Sequence, residues 1–278
     1  MIENLIYKEE QKEKTGFYAS DVLKSGWELY HAWKGTPKTN LPQWYETLKW
    51  GAGNGVEASM LKVLKDSGIV NEDYDQHVHG KINHNKYGFE IHGRIDAMTK
   101  DGFPIEIKSV NNKNAWDIKA YADGYPRENY VGQLSVYMDA LGVDTGYLFV
   151  ATVDGLNTFW FKCTRVGDKF VCGKVEFDLG KEIERWRNLM DNHVLKDIEP
   201  DPFEYIYKIP IEKIDWSKMS KDKISKARNN HAVIGDFQIT YSPWKDLWIK
   251  KQGQTIGYTA EELIKINELT SGYSTWTK

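Results

Sequence analysis

Lys100-Asp101-Gly102 separates two short runs that alternate polar and apolar residues. Upstream, His92, Arg94 and Asp96 share one parity, and Ile91, Ile95 and Ala97 the other; downstream, Glu106 and Lys108 oppose Phe103, Ile105 and Ile107. Period-two alternation means half-buried strands. A three-residue loop with glycine in the left-handed position closes such a hairpin. It also sets the register: Thr99 pairs with Phe103, so Asp96 faces Glu106 and Arg94 faces Lys108. One sheet face then carries two adjacent carboxylates and a lysine. Like charges directly opposite each other destabilise a sheet, so the pattern is not there for stability. A divalent cation would remove the repulsion.

The remaining chain supplies helices and strands around this hairpin. Residues 1–14 read as a polar arm. Ser20, with Leu23, Trp27 and Tyr30 at helical spacing, predicts a capped helix, and Gly35–Pro42 a loop. Residues 44–50 predict a helix, and Gly53-Asn54-Gly55 opens another, with Glu57 in its first turn and Leu61 and Leu64 on the same face. Residues 74–91 are strand and turns. Glu128–Leu141 is a helix closed by Gly142, and Tyr147–Val153 a buried strand. Thr158–Lys162 and Lys169–Phe177 alternate as a hairpin. Leu179–Leu195 is an amphipathic helix, broken by Glu199-Pro200-Asp201-Pro202. Helices near 217–229 and 259–269 flank a Trp-rich stretch at 237–249. The order predicts an α/β fold: a central mixed sheet flanked by helices, with a helical or irregular C-terminal extension.

Composition bounds the function. With 41% hydrophobic residues the chain can build a sizeable core, and no apolar run reaches the ~18 residues of a membrane span. The opening MIENLIYKEEQKEK lacks the apolar segment of a signal peptide. Two cysteines, Cys163 and Cys172, are too few for a disulfide framework and read as buried free thiols. A cytoplasmic location is expected, with no membrane partner. The net charge of −3 argues against blanket adhesion to nucleic acid but leaves room for a local basic groove.

Asp96 and Glu106 are hard oxygen ligands suited to Mg²⁺ or Mn²⁺. Lys108, two residues past Glu106 on the same strand, points to the same face. The chemistry implied is metal-assisted phosphodiester hydrolysis, with cation charge stabilising the negative charge that develops on phosphorus oxygens. A surface hairpin with an ordinary Glu/Lys ladder is the competing account. Two features weigh against it. Glu57 is a carboxylate on an apolar helical stripe, which needs a partner or an ion, although a first-turn Glu also suits the helix dipole. Gln133 and Tyr137, one turn apart on the following helix, could reach over the site.

Taken in order, Gly53-x-x-x-Glu57, Gly93-Arg94-Ile95-Asp96, Glu106-Ile107-Lys108-Ser109 and Gln133-x-x-x-Tyr137 resemble the motifs of the PD-(D/E)XK nuclease superfamily, and within it the RecB-type exonuclease family. The resemblance spans roughly residues 20–250. It implies a restriction-endonuclease-like core at 15–200 and an extension at 201–278 that packs back on the N-terminal helices. It implies Mg²⁺ or Mn²⁺ held by Glu57, Asp96, Glu106 and the Ile107 carbonyl, a catalytic Lys108, and Gln133 and Tyr137 positioning substrate. Many relatives carry His where Glu57 stands. Many also hold a four-iron cluster through one early cysteine and three late ones. Here Gly26, Ile239, Ser242 and Trp248 fill those positions, so no iron–sulfur cluster is expected, and Trp27 and Trp248 are candidates to join the chain ends by packing.

The expected activity is that of a metal-dependent exonuclease acting on a DNA end or single strand in phage or bacterial recombination and repair, in company with a recombination or single-strand-binding protein. Two rivals stand beside it: a structure-specific endonuclease of the same fold, and an inactive DNA-binding scaffold. Weaker candidates are the histidines His77, His79, His84 and His92, the cations Lys113, Lys119 and Arg127 along a DNA path, and Trp116 and Tyr121 as base-stacking rings.

Overall fold

The computed structural model describes residues 14–111, 115–155 and 157–273. The arm at 1–13 and Lys113, and the side chain of Trp116, lie outside the described residues. In chain order the elements are β1 (Phe17–Tyr18), α1 (Gly26–Trp33), α2 (Trp44–Asp66), β2 (Lys81–His84), β3 (Ile91–Arg94), β4 (Ala97–Met98), β5 (Pro104–Val110), α3 (Ala115–Ala122) and α4 (Glu128–Leu141). There follow β6 (Thr145–Thr152), β7 (Thr158–Val166), β8 (Lys169–Cys172), β9 (Val175–Asp178), α5 (Leu179–Leu189), α6 (Lys221–Arg228), α7 (Phe237–Tyr241), α8 (Lys245–Lys251) and α9 (Ala260–Leu269).

The fold is mixed α/β with two mixed sheets flanked by helices. The larger sheet has the order β4-β5-β6-β7-β8-β9, and the smaller β1-β3-β2. In the larger sheet β5 and β6 run parallel while the other pairings are antiparallel. A parallel neighbour needs a crossover, and α3 and α4 supply it. One face of the larger sheet packs on α2, with Met60 and Leu64 meeting Ala97, Ile105, Ile107 and Ala151. The other face packs on α4, whose Val131 and Leu134 join Leu148, Val150 and Phe177 in the main core. Glycine lets α4 approach closely: a Cβ at Gly132 would lie 2.3 Å from Val22 Cγ1. α4 ends at Gly142 in the left-handed conformation, φ +67°, as expected.

Several local expectations change. Helix α2 is continuous from Trp44, so Gly53 does not open it and Glu57 sits near its middle, where the N-terminal dipole gives no account of the charge. The glycine at 53 serves packing instead: a Cβ there would meet Ser109 Oγ at 3.1 Å. The cap of α1 is Ser25, whose side chain accepts from Glu28 N–H, rather than Ser20, because Leu23 turns left-handed with φ +61°. The expected 158–177 hairpin is a three-stranded meander, since Gly173 (φ +58°) turns the chain once more. α5 stops at Leu189 and continues as a π turn at Met190–Val194.

Cys163 and Cys172 are free, buried and directly opposite across β7 and β8. Residues 239–249 lie against α1. Trp27 and Trp248 stack at 4.7 Å between ring centroids, within a cluster that includes Tyr207, Ile239, Trp244 and Ile249. The Trp244 indole donates to Thr36 O at 2.8 Å, and Thr39 N–H to Pro243 O at 2.9 Å. Among the described residues, no helix is long and apolar enough to cross a membrane.

Both Trp27 and Trp248 are fully buried. Trp248→Ala should therefore destabilise the protein by about 3–5 kcal/mol. Hydrogen exchange in α1 should accelerate, although that helix is more than 200 residues away in sequence. Equilibrium urea unfolding and amide exchange check this; an unchanged midpoint would contradict it.

Candidate active site

The register of the central hairpin is the expected one up to Asp96. Thr99 N–H donates to Phe103 O at 2.9 Å, Met98 pairs with Pro104 and Ala97 with Ile105. Gly102 takes φ +82°. Asp96 therefore arrives beside Glu106. There the ladder stops. Ile95 N–H donates to Gly80 O at 2.8 Å, and the Tyr74 hydroxyl to Ile95 O at 2.9 Å. The chain thus leaves the larger sheet at Ile95, and Arg94 pairs with Lys81 in the smaller one, not with Lys108 as the sequence register implied.

Asp96 sits at the break between the sheets with its side chain turned inward. Its Oδ2 accepts from Ile107 N–H at 2.8 Å, taking the ladder position that a longer β4 would occupy. Glu106 is fully buried. Neither of its oxygens accepts a well-formed hydrogen bond, and its compensation is charge: the Lys108 ammonium is ion-paired to Oε1. Burial and the neighbouring Glu106 hold the Asp96 carboxyl well above its ordinary range. Burial likewise raises Glu106, against the pull of Lys108. Burial opposes the Lys108 charge, yet Glu106 and Asp96 outweigh it and hold the ammonium above the usual lysine range. The Lys108 ammonium also lies 5.6 Å from the centre of the Tyr130 ring.

Gln133 and Tyr137 reach the site from α4, but not as a clamp on the lysine. Gln133 Nε2 donates to the Tyr137 hydroxyl at 2.8 Å, and that hydroxyl donates to Arg94 O at 3.0 Å. The chain of bonds ties α4 to the turn that delivers Asp96. Gly93 makes it possible, because a Cβ there would lie 2.7 Å from Tyr137 Cε1. Burial and Glu106 push the Tyr137 phenol up, so its proton stays in place for that bond.

Glu57 approaches from α2 and its charge acts on both Asp96 and Glu106. It lines a cleft of about 690 Å³ with Trp50, Asn54, Lys108 and Asn111, among others. The cleft opens past the carboxyl ends of β5 and β6, where crevices of open α/β sheets take their ligands. Among the described residues no group of three or more His, Cys, Asp or Glu side chains is close enough to hold a metal ion. The close pair is Asp96 and Glu106. Two apposed hard oxygen donors, one of them wholly buried and compensated by an ammonium, fit a small divalent cation, which needs few protein carboxylates.

The weaker candidates disperse. His79 Nδ1 accepts from Asp75 N–H at 3.0 Å, His77 lies 3.4 Å from Arg94, and His84 has both ring nitrogens buried without a partner. His92 binds Asn83 at 2.6 Å and Thr15 at 3.2 Å. Tyr121 is a core residue packed on Phe159 and Phe161, which leaves no face for a base. Arg127 is ion-paired to Asp117, and Lys119 is exposed on α3. Two site residues escaped the sequence reading. Tyr130 shares a helical stripe with Gln133 and Tyr137, a spacing that could have revealed it. Tyr74 reaches Ile95 only through the fold, and no local signal marks it.

No family model matches the chain, and no curated protein matches it. Solved structures that resemble it include the SSO0001 protein, at 15% identity and a TM-score of 0.42, covering 75% of this chain and 87% of that one. They also include an alkaline exonuclease, LHK-Exo, from Laribacter hongkongensis, at 19% identity and a TM-score of 0.42, covering 63% of this chain and 88% of that one. The same exonuclease in complex with dAMP gives 20% identity and a TM-score of 0.43 over the same shares.

Because Asp96 is harder to ionise in the folded than in the unfolded state, it subtracts stability as pH rises from about 4 through its raised value. Asp96→Asn removes that charge and keeps an oxygen for Ile107 N–H. In metal-free buffer the variant should melt a few degrees above wild type at alkaline pH, with the gap closing as pH falls toward the ordinary carboxylate range at about 4. Mn²⁺ should stabilise wild type and not the variant. A constant gap across pH, or an equal Mn²⁺ shift in both proteins, would contradict the assignment.

Proposed function

We propose that this chain is a Mg²⁺- or Mn²⁺-dependent deoxyribonuclease of the PD-(D/E)XK type, a RecB-like exonuclease acting on DNA ends or single strands in recombination or repair. The observation that carries the reading is the buried Asp96–Glu106 pair beside Lys108, whose side chain lines the adjacent cleft with Glu57. The four motifs in series support it. A purely structural salt bridge would not need a second buried carboxylate, whose repulsion costs stability.

Asp96 and Glu106 would hold the cation with the Ile107 carbonyl, and solvent would supply the remaining ligands; Glu57, expected as a direct ligand, is not close enough to join them as the structure stands and would act through its charge. A cation bound there supplies charge that stabilises a phosphoryl oxygen in the transition state. Lys108 lines the cleft and is paired with Glu106; with that carboxylate engaged by a cation, its ammonium would face the cleft. It can hold the attacking water in line or stabilise negative charge on the phosphorus oxygens. Tyr137 and Gln133 fix the Arg94 carbonyl, and with it the turn that aims Asp96. Tyr130 gives the Lys108 stem and charge an aromatic wall. The contacts proposed here are to phosphate, which carries no sequence information, so cleavage should be indifferent to sequence.

Incubated with Mn²⁺, the wild-type protein should degrade linear DNA and leave covalently closed circles intact. Glu106→Ala and Lys108→Ala should each lose roughly 100-fold or more in rate. Metal affinity, followed by calorimetry, should fall in the first and be largely kept in the second. Cutting of closed circles would overturn the exonuclease reading. Full activity in Glu106→Ala would overturn the site.

A further inference from the structure

Trp50 is 53% exposed and lines the proposed catalytic cleft. On α2 it belongs to the stripe Trp50, Gly53, Asn54, Glu57, at helical positions i, i+3, i+4 and i+7, all of which line that cleft. Seven residues of helix place Trp50 about 10 Å from Glu57 along the axis. That distance is about three stacked nucleotides at ~3.4 Å each. Lys49 and Lys108 line the same cleft. Glu57 and Asp154 line it too, so the lining is mixed in charge and it is the exposed indole that points to a ligand with an aromatic face.

We propose that Trp50 is a base-stacking subsite of this cleft, and that the substrate entering it is a strand with unpaired bases. The inference rests on the nuclease reading and narrows its substrate. Indole stacking needs an open base face, which a continuous duplex does not offer at the strand being threaded. A single strand or a frayed end does. Stacking of this kind tolerates any base, since every base has a π face, so the subsite adds affinity and register without sequence preference. Lys49 and Lys108 would follow the phosphates while the indole fixes one base. The phosphate about three nucleotides on would then stand at Glu57, Asp96 and Glu106. Trp50 is a positioning residue on this account and takes no part in bond breaking.

The test uses full-length protein carrying Glu106→Gln, so that bound DNA survives. Fluorescence anisotropy compares a labelled single-stranded oligonucleotide with its duplex, and with copies in which a single abasic site is moved along the strand. Trp50→Ala should weaken single-strand binding about tenfold or more, and Trp50→Phe should restore most of it. One abasic position should cost affinity in the Trp50 protein and nothing further in Trp50→Ala. That loss of additivity identifies stacking and would not arise from a general folding defect. Equal affinities for Trp50 and Trp50→Ala, or abasic and Trp50→Ala effects that simply add, would overturn the subsite. The nuclease reading is tested separately, by cleavage with the native Glu106. Trp50-dependent binding without any cleavage overturns that reading alone, and cleavage with Trp50-independent binding overturns only the subsite.

Discussion

The apposition of Asp96 and Glu106 is the constraint around which this structure is arranged. Two carboxylates are buried side by side with one lysine ammonium for compensation. Such a pair is costly in a low-dielectric interior, and every neighbouring element bears on how it is held. The hairpin turn sets Asp96 opposite Glu106. The break at Ile95 turns Asp96 inward, and the bonds from Gly80, Tyr74 and Tyr137 keep the chain from relaxing into a continuous strand. α2 brings a third negative charge, Glu57, toward the same point.

The division into two sheets follows from this break. A single strand from Ile91 to Met98 would have carried Arg94 across to Lys108 and placed two cations together. Instead β3 pairs with β1 and β2, and the edge of β5 beyond Glu106 is left without a strand partner from β4. Asp96 Oδ2 covers one of the freed amides, that of Ile107. The site is thus an unfinished sheet edge whose missing ladder is replaced by a carboxylate. That arrangement places a carboxylate at the strand break without exposing a long edge.

Much of this was legible in the sequence because it is local. The three-residue turn ending at Gly102 determines which residues face each other for several positions on either side, and alternation decides which of them share a face. Helix α4 was equally legible from its periodicity and its closing Gly142. What escaped is what depends on distant partners. Nothing near Ile95 signals that Gly80 and Tyr74 will capture its backbone. Three glycines at 51, 53 and 55 argue for a helix break, and tertiary packing of Met60 and Leu64 against Ile105 and Ile107 overrides that preference. Gly93 was visible as a motif residue, but its reason, the passage of the Tyr137 ring, belongs to the packed structure.

The central claim is that the buried carboxylates form a cation site, and anomalous diffraction from a crystal soaked in Mn²⁺ tests it most directly. The account predicts an anomalous peak between Asp96 and Glu106, with the Lys108 ammonium moved off Glu106 Oε1. A structure in which Mn²⁺ binds only elsewhere, or in which Lys108 keeps its pairing at saturating Mn²⁺, would contradict it.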